Sequence, residues 1–256
     1  MKSAEETIFK IYNVKKMIFI ERSKQFSESP RLFLKQNDKR DIKFLVLHHV
    51  QADNINHAID LFIQYEVSSH FIIAEDGKIF ELVDENDIAY HAGVSYWRGV
   101  DGLNKTSIGI EFFNSSPFEK KFSEAQMEAG AELCKYLIDK YCIEAQNIVG
   151  HSDIGYSKET GLLNRKQDPS HLFDWKFLAS HGVGIFPNHL EKVEKVSLKE
   201  TKEMLKTFGY KVENLNDEFD EEMKGLAIVF NRRFLNKDSD EWSDYSQKML
   251  SALLIK

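Results

Sequence analysis

Three residues far apart in the chain, His48, His151 and Asp168, are of types that bind a catalytic metal. Two imidazoles and one carboxylate, with the fourth position left to water, make up the donor set of a hydrolytic zinc site. His48 closes the apolar run Phe44-Leu45-Val46-Leu47, and His151 closes another short strand expected at 147–150. Asp168 lies 17 positions after His151, in a turn-prone Gln-Asp-Pro stretch. The spacing is not a short motif such as His-Glu-x-x-His. Taken singly, a strand-end histidine has an ordinary packing role and an aspartate before proline is an ordinary turn former. Glu111 follows Ile110 in an alternating apolar segment. It either faces solvent or stands beside the metal, where a carboxylate takes a proton from the attacking water. Lys166 is two residues before Asp168, so if Asp168 binds the metal, alternation puts Lys166 on the same side. There an ammonium steadies an oxyanion; otherwise Lys166 is a solvated loop lysine.

These side chains need elements to position them. Residues 44–47 read as a buried strand. Asn54 caps a helix with Ile55, Ala58, Ile59 and Phe62 on one face. Segments 69–74 and 78–83 are strands around the hairpin signal Asp76-Gly77. Segment 107–113 is a strand in which Ile108, Ile110 and Phe112 alternate with Gly109 and Glu111. Ser123 opens a long helix to Tyr141, and Asp174 caps a short one through Trp175, Phe177 and Leu178. A weak strand-like piece is expected at 17–21. Gly182, Gly184 and Pro187 mark a linker, and three helices follow at roughly 197–208, 218–235 and 240–254.

Bulk properties narrow the options. The chain has 256 residues, 42% hydrophobic and 29% charged, enough for one sizeable core and a small second domain. A net charge of −7 argues against a general nucleic-acid binder and gives no support for docking on an anionic membrane. Cys134 and Cys142 are separated by eight positions of one helix, roughly 12 Å and too far for a disulfide. No run of about 18 apolar residues is present, so no transmembrane segment is expected. The N-terminal apolar pieces are short and interrupted by Lys10, Lys15 and Lys16, so an ordinary cleaved signal is not expected.

At residues 40–180 the segments stop looking generic. Leu45-Val46-Leu47-His48-His49, Val67-Ser68-Ser69-His70-Phe71, Asp76-Gly77-Lys78-Ile79 and Ala89-Tyr90-His91-Ala92-Gly93 come in order. Ser95-Tyr96-Trp97-Arg98-Gly99, Leu103-Asn104, Ser107-Ile108-Gly109-Ile110-Glu111, Val149-Gly150-His151-Ser152-Asp153-Ile154 and Arg165-Lys166-Gln167-Asp168-Pro169 follow. This series resembles the zinc N-acetylmuramoyl-L-alanine amidases of bacteria, with which phage amidase lysozymes and peptidoglycan recognition proteins are grouped. The resemblance implies one Zn2+ per chain on His48, His151 and Asp168. It implies Glu111 as the residue that activates the attacking water and Lys166 as the one that steadies the oxyanion. His91, Trp97, Arg98 and Asn104 match substrate contacts. His70 matches a structural histidine. His49 stands where an aromatic residue is usual, and Ser170 where glycine is common.

The tail is also familiar. Leu205-Lys206-Thr207-Phe208-Gly209-Tyr210, Phe219-Asp220 and Ala227–Phe234 resemble the three-helix peptidoglycan-binding domain attached to one branch of these amidases. Asn231 stands where glutamine is common. The expected fold is α/β: a central mixed β-sheet flanked by helices, with the zinc at strand ends, plus a small C-terminal three-helix bundle. The expected divisions are an N-terminal extension (1–40), a catalytic domain (41–182), a linker (183–195) and the helical domain (196–256). The expected activity is hydrolysis of the amide between N-acetylmuramic acid, in the 1,6-anhydro or ordinary form, and L-alanine, in cell-wall turnover or recycling. Peptidoglycan or muropeptide fragments are the expected partners, and nucleic acid is not. A wall-binding tail points to the envelope or periplasm; the missing signal points to the cytoplasm. Two other readings compete. A recognition module of the same fold typically lacks a metal ligand, whereas all three ligand types are present here. A serine or cysteine hydrolase lacks support, since there is no Gly-x-Ser-x-Gly elbow and Cys134 sits mid-helix.

Overall fold

A computed structural model describes residues 20–22, 33–36, 39–187, 189–190 and 196–255. Much of the expected N-terminal extension, and residues 188 and 191–195 of the expected linker, lie outside the described residues.

The centre is a six-stranded mixed sheet. Its strands are β1 (Ile20–Arg22), β3 (Phe44–Val50), β4 (Phe71–Ile73), β5 (Ile79–Glu81), β9 (Ser107–Phe113) and β10 (Ile148–Gly150), in the order β1-β5-β4-β9-β3-β10. β4 and β5 are antiparallel, joined through Gly77 at φ +84°, as the Asp-Gly signal implies. The other pairings, including β4–β9, β9–β3 and β3–β10, are parallel. Two small antiparallel pairs lie outside the main sheet. One is β2 (Phe33–Leu34) with β6 (Ile88–Ala89); the other is β7 (Tyr96–Trp97) with β8 (Val100–Asp101).

The period of two explains the layering. On β3, Leu45 and Leu47 face the same core as Ile108, Ile110 and Phe112 of β9. Helix α2 (Glu124–Tyr141) covers that face with Met127, Ala131, Cys134 and Leu137. Ser123 caps it by accepting from the Gln126 N–H, so the sequence start signal holds. Phe44 and Val46 point to the opposite face, which explains why 44–47 is continuously apolar: both sides are covered. Helix α1 (Ile55–Gln64), capped by Asn54, closes a third cluster through Ala58, Ile59 and Phe62. Helix α3 is a single turn (His151–Ile154), so His151 opens a helix rather than ending a strand. Helix α4 (Trp175–Ser180) starts at the Asp174 cap.

Helices α5 (Leu198–Phe208), α6 (Glu221–Phe234) and α7 (Asp244–Leu254) form the expected C-terminal bundle. It is not separate from the sheet. Phe44, Val46, Trp97, Val149 and Ile154 share one buried cluster with Leu205, Phe208, Tyr210, Leu226, Phe230 and Leu250. A bundle of some 60 residues is marginal alone, and continuous burial against the sheet offsets that deficit. Gly209 ends α5 at φ +145° and lies against the Trp97 ring, where a Cβ would come 2.8 Å from Cε2. Among the described residues no helix is long and apolar enough to cross a membrane.

Candidate metal centre

The parallel strands β9, β3 and β10 run side by side, and their C-terminal ends deliver the site. His48 and Glu111 are register partners on β3 and β9, so they stand next to each other on one face. This is the face carrying Phe44 and Val46, and Glu111 shares it with Ser107 and Gly109. His151 follows β10 directly. Asp168 is brought in by a loop whose backbone is tied to that turn, because the Ser152 N–H donates to the Asp168 carbonyl at 2.7 Å.

The three side chains converge tightly. His48 Nδ1, His151 Nδ1 and Asp168 Oδ2 are each 3.0 Å from the other two. Such donor atoms lie about 3.3 Å apart around a tetrahedral ion with bonds of about 2.0–2.1 Å, so the triangle fits zinc once each edge opens by about 0.3 Å.

Hydrogen bonds behind the ligands fix which nitrogen carries a proton. The Ser107 hydroxyl donates to the Leu103 carbonyl at 2.7 Å. Its oxygen then accepts from His91 Nε2–H at 3.1 Å. Burial, with the neighbouring His48 and His70, holds His91 well below the usual histidine range, so it is neutral and its Nδ1 is an acceptor. Nδ1 accepts from His48 Nε2–H at 3.0 Å. Burial lowers His48 to about 4 although the neighbouring Asp168 raises it, so His48 is neutral too, with a bare lone pair on Nδ1. His151 Nε2–H donates to the Ala92 carbonyl at 3.1 Å, which in the neutral imidazole also leaves Nδ1 bare. For Asp168, burial opposes ionisation, and a proton on His151 or His48 is what outweighs it and holds the carboxyl well below the carboxylate range; beside two bare Nδ1 atoms the carboxylate lacks that positive partner. Two lone pairs and a carboxylate therefore point at one spot in a buried setting, an arrangement that calls for a cation.

Glu111 is buried beside this cluster. Burial raises its pKa well above the usual glutamate range; the Asp168 charge adds to that and Lys166 counters it. Glu111, Lys166 and the three converging residues line one cleft of about 320 Å³, with Leu61, Tyr65 and Val67 as an apolar wall.

His49 is not among the converging atoms. Its Nδ1 accepts from the Ser170 N–H at 3.1 Å, and its ring packs edge-on against Phe118 at 5.3 Å. Ser170 is fully buried and donates its hydroxyl to the Pro117 carbonyl, so the side chain in place of glycine has a partner. His70 is structural, as expected. Its Nδ1 accepts from the Gly109 N–H at 3.0 Å, and burial lowers it to about 3.

Of the expected substrate contacts, His91 lines the cleft, whereas Trp97, Arg98 and Asn104 do not. Trp97 is fully buried; its ring packs against Phe208 and Tyr210, and its Nε1–H donates to the Gln146 carbonyl at 3.0 Å. It belongs to the seam between sheet and bundle. Arg98 pairs with Glu144 at 2.9 Å and is not in the cleft lining. Asn104 Oδ1 accepts from the N–H groups of His91 and Ala92 at 3.1 and 2.7 Å. Asn104 thus fastens the dipeptide whose ring orients His48 and whose carbonyl orients His151. His91 reaches the cleft wall, but both ring nitrogens are engaged by His48 and Ser107. No periodicity in the sequence signals this supporting role; only the fold brings 91–92, 104 and 107 behind the ligands.

Comparison with known proteins identifies the family. Residues 38–171 match the family model described as N-acetylmuramoyl-L-alanine amidase. The chain belongs to the N-acetylmuramoyl-L-alanine amidase family. It is 37% identical over 161 residues to the amidase AmiD of Escherichia coli, a match covering 57% of this chain and 55% of AmiD. It thus spans about half the length of that relative. It is 33% identical over 174 residues to the 1,6-anhydro-N-acetylmuramyl-L-alanine amidase AmpD of Haemophilus influenzae, covering 60% of this chain and 89% of AmpD. Among amidase structures, E. coli AmiD, solved with anhydro-N-acetylmuramic acid-L-Ala-D-gamma-Glu-L-Lys, superposes with a TM-score of 0.70 at 29% identity, covering 86% of this chain and 91% of the other. AmpDh3 of Pseudomonas aeruginosa, in complex with anhydromuramic pentapeptide, gives 0.74 at 26% identity, covering 85% and 93%.

Proposed function

We propose that this protein is a zinc-dependent amidase that cleaves the bond between the lactyl carbonyl of N-acetylmuramic acid, in its anhydro or ordinary form, and the amine of L-alanine. The carrying observation is the 3.0 Å triangle of His48, His151 and Asp168 in a cleft that also holds Glu111 and Lys166. The anhydromuramyl peptides bound to the AmiD and AmpDh3 structures support the substrate class. A bound zinc ion supplies Lewis acidity, lowering the pKa of water and polarising a carbonyl.

The chain's own residues supply the rest. His48, His151 and Asp168 hold the ion, with His91, Ala92 and Asn104 fixing the ring orientations. Glu111 takes the proton from the attacking water, and its raised pKa lets it retain that proton. The hydroxyl adds to the lactyl carbonyl carbon while the Lys166 ammonium faces the growing oxyanion, and the C–N bond to alanine breaks as the carbonyl re-forms. Glu111 then returns the proton to the departing alanine nitrogen, so water is divided between the two products. Leu61, Tyr65 and Val67 meet the apolar part of the substrate, with Gln51 and Gln167 as polar contacts.

The C-terminal bundle is proposed as a peptidoglycan-binding domain, which fits an envelope-facing role better than recycling of soluble fragments in the cytoplasm. Intact sacculi and isolated anhydro-muropeptides, digested side by side with and without a chelator, test both points. Metal-dependent release of free stem peptide from both substrates supports the proposal. Release from soluble fragments alone contradicts the wall-facing role, and chelator-insensitive release contradicts the metal.

A further inference from the structure

Two adjacent arginines of α6 reach the two chain segments that carry His151 and Asp168. Arg233, buried, donates through NH1 to Asp153 Oδ2 at 2.8 Å and through NH2 to the Ile148 carbonyl at 2.8 Å. Its guanidinium stacks on the Trp175 ring at 4.6 Å. Asp153 lies in the single turn opened by His151 and is wholly inaccessible. Its remaining bonds come from the Gly150 N–H at 2.7 Å and from the Tyr210 hydroxyl, also of the tail, at 3.0 Å. Arg232, equally buried, donates through NH1 to the Lys166 carbonyl at 3.2 Å and through NH2 to Asn164 Oδ1 at 3.1 Å. Its Nε is held by Asp238 at 2.6 Å.

The third ligand, His48, needs no such help. It sits on β3, flanked by β9 and β10. His151 and Asp168 have no sheet to fix them, since one stands on a lone helical turn and the other in an irregular loop. A planar guanidinium with several donors in fixed directions is suited to fasten such segments, and a buried carboxylate such as Asp153 keeps its place only while its cation is present.

We infer that the C-terminal helices act as a clamp on the metal centre, with Arg232, Arg233 and Tyr210 as positioning residues for His151 and Asp168. The tail is then a component of the catalytic unit, whatever wall contacts it also makes. The inference rests on the zinc reading above.

The test uses the full chain. Zinc affinity is measured by competition with a chromophoric chelator, well below the unfolding temperature, for the unmodified protein and for Arg232→Met and Tyr210→Phe. Tyr210→Phe removes one hydroxyl and keeps the ring packing, so it reports even where Arg232→Met fails to fold. The dissociation constant is expected to rise about 10- to 100-fold in Arg232→Met, the usual effect of losing a group that supports a ligand. It is expected to rise about 2- to 10-fold in Tyr210→Phe, one hydrogen bond's worth. In both, kcat falls more than KM rises, and Arg232→Lys, which keeps the charge without the fork, recovers part of the loss. Unchanged zinc affinity in Tyr210→Phe and in folded Arg232→Met, even with reduced thermal stability, overturns the clamp. An unmodified protein that binds no zinc brings down the zinc reading and the clamp together, so the two failures are distinguishable.

Discussion

Gly109→Ala tests the support behind the ligands. Gly109 lies on β9 directly under the His91 ring, and a Cβ there would stand 2.5 Å from Cγ, 2.7 Å from Nδ1 and 2.8 Å from Cδ2. Non-bonded carbons prefer about 3.5–4.0 Å, so the ring must retreat by about 1 Å. It has little room, being held at 3.0 Å by His48 on one side and 3.1 Å by Ser107 on the other. A retreat of that size stretches the His48 bond beyond hydrogen-bonding range and frees the His48 ring to rotate or change tautomer. Overpacking costs roughly 1–3 kcal/mol of stability. Loss of a ligand's orienting bond weakens metal binding about 10- to 100-fold. Denaturant unfolding of the metal-free protein and a zinc competition titration measure the two effects separately. A variant with stability within about 0.5 kcal/mol of the unmodified protein and unchanged zinc affinity would refute the reasoning, because the surroundings would have absorbed the methyl group.

Other expectations follow from the same geometry. Glu111→Gln is expected to lower kcat by about 10²- to 10⁴-fold while zinc, measured by metal analysis, stays bound. Because burial raises the Glu111 pKa, the folded state binds the proton more tightly than the unfolded one. Its ionisation therefore costs stability as pH rises above the normal carboxylate range, and metal-free Glu111→Gln is expected to melt higher than the unmodified protein at pH 7. Histidine burial acts at the other end of the scale. His48 and His49 are lowered to about 4 and His70 to about 3, so the folded protein binds fewer protons than the unfolded chain below its ordinary histidine pKa. Their contribution is complete above about pH 6.5 and is lost as pH falls towards 4, at about 1.4 kcal/mol per pH unit for each titrating group. Urea titrations of the metal-free protein at pH 7, 6 and 5 check the slope, and a flat profile counts against buried neutral histidines. Trp97→Phe is expected to lower stability by roughly 1–3 kcal/mol, through the lost bond to Gln146 and the lost packing, with KM unchanged. A KM increase would return Trp97 to the substrate surface.

The sequence made some parts of this molecule legible for identifiable reasons. The strands 44–50 and 107–113 carry a period-two or continuous apolar signal because they lie at the sheet centre with covered faces. Helix starts at Asn54, Ser123 and Asp174 were readable because each side chain accepts from a backbone N–H three residues on. His48, His151 and Asp168 could be named from resemblance, yet nothing local marks them. Their convergence depends on the order β9-β3-β10 and on a loop tie from Ser152 to Asp168. The bracing contacts of the residues expected at the substrate rim were hidden for a similar reason. Trp97 and Asn104 are large or polar groups in a loop-rich stretch, a pattern shared by ligand contacts and interior braces. Only burial under Tyr210, and the hydrogen bonds to His91 and Ala92, separate the two. The short β7–β8 hairpin has strands of two residues each, too brief for any alternation to register.

The bond that is broken is the most direct test of the function proposed here. Zinc-loaded protein is incubated with anhydro-N-acetylmuramyl-L-alanyl-D-glutamyl peptide in water enriched in oxygen-18, and the products are weighed by mass spectrometry. Two products are expected: a peptide with a free alanine amine, and an anhydro-N-acetylmuramic acid whose new carboxylate carries one heavy oxygen. Asp168→Ala, tested alongside, is expected to yield neither. Cleavage at any other bond, or equal turnover by Asp168→Ala, would contradict a metal-dependent amidase built on His48, His151 and Asp168.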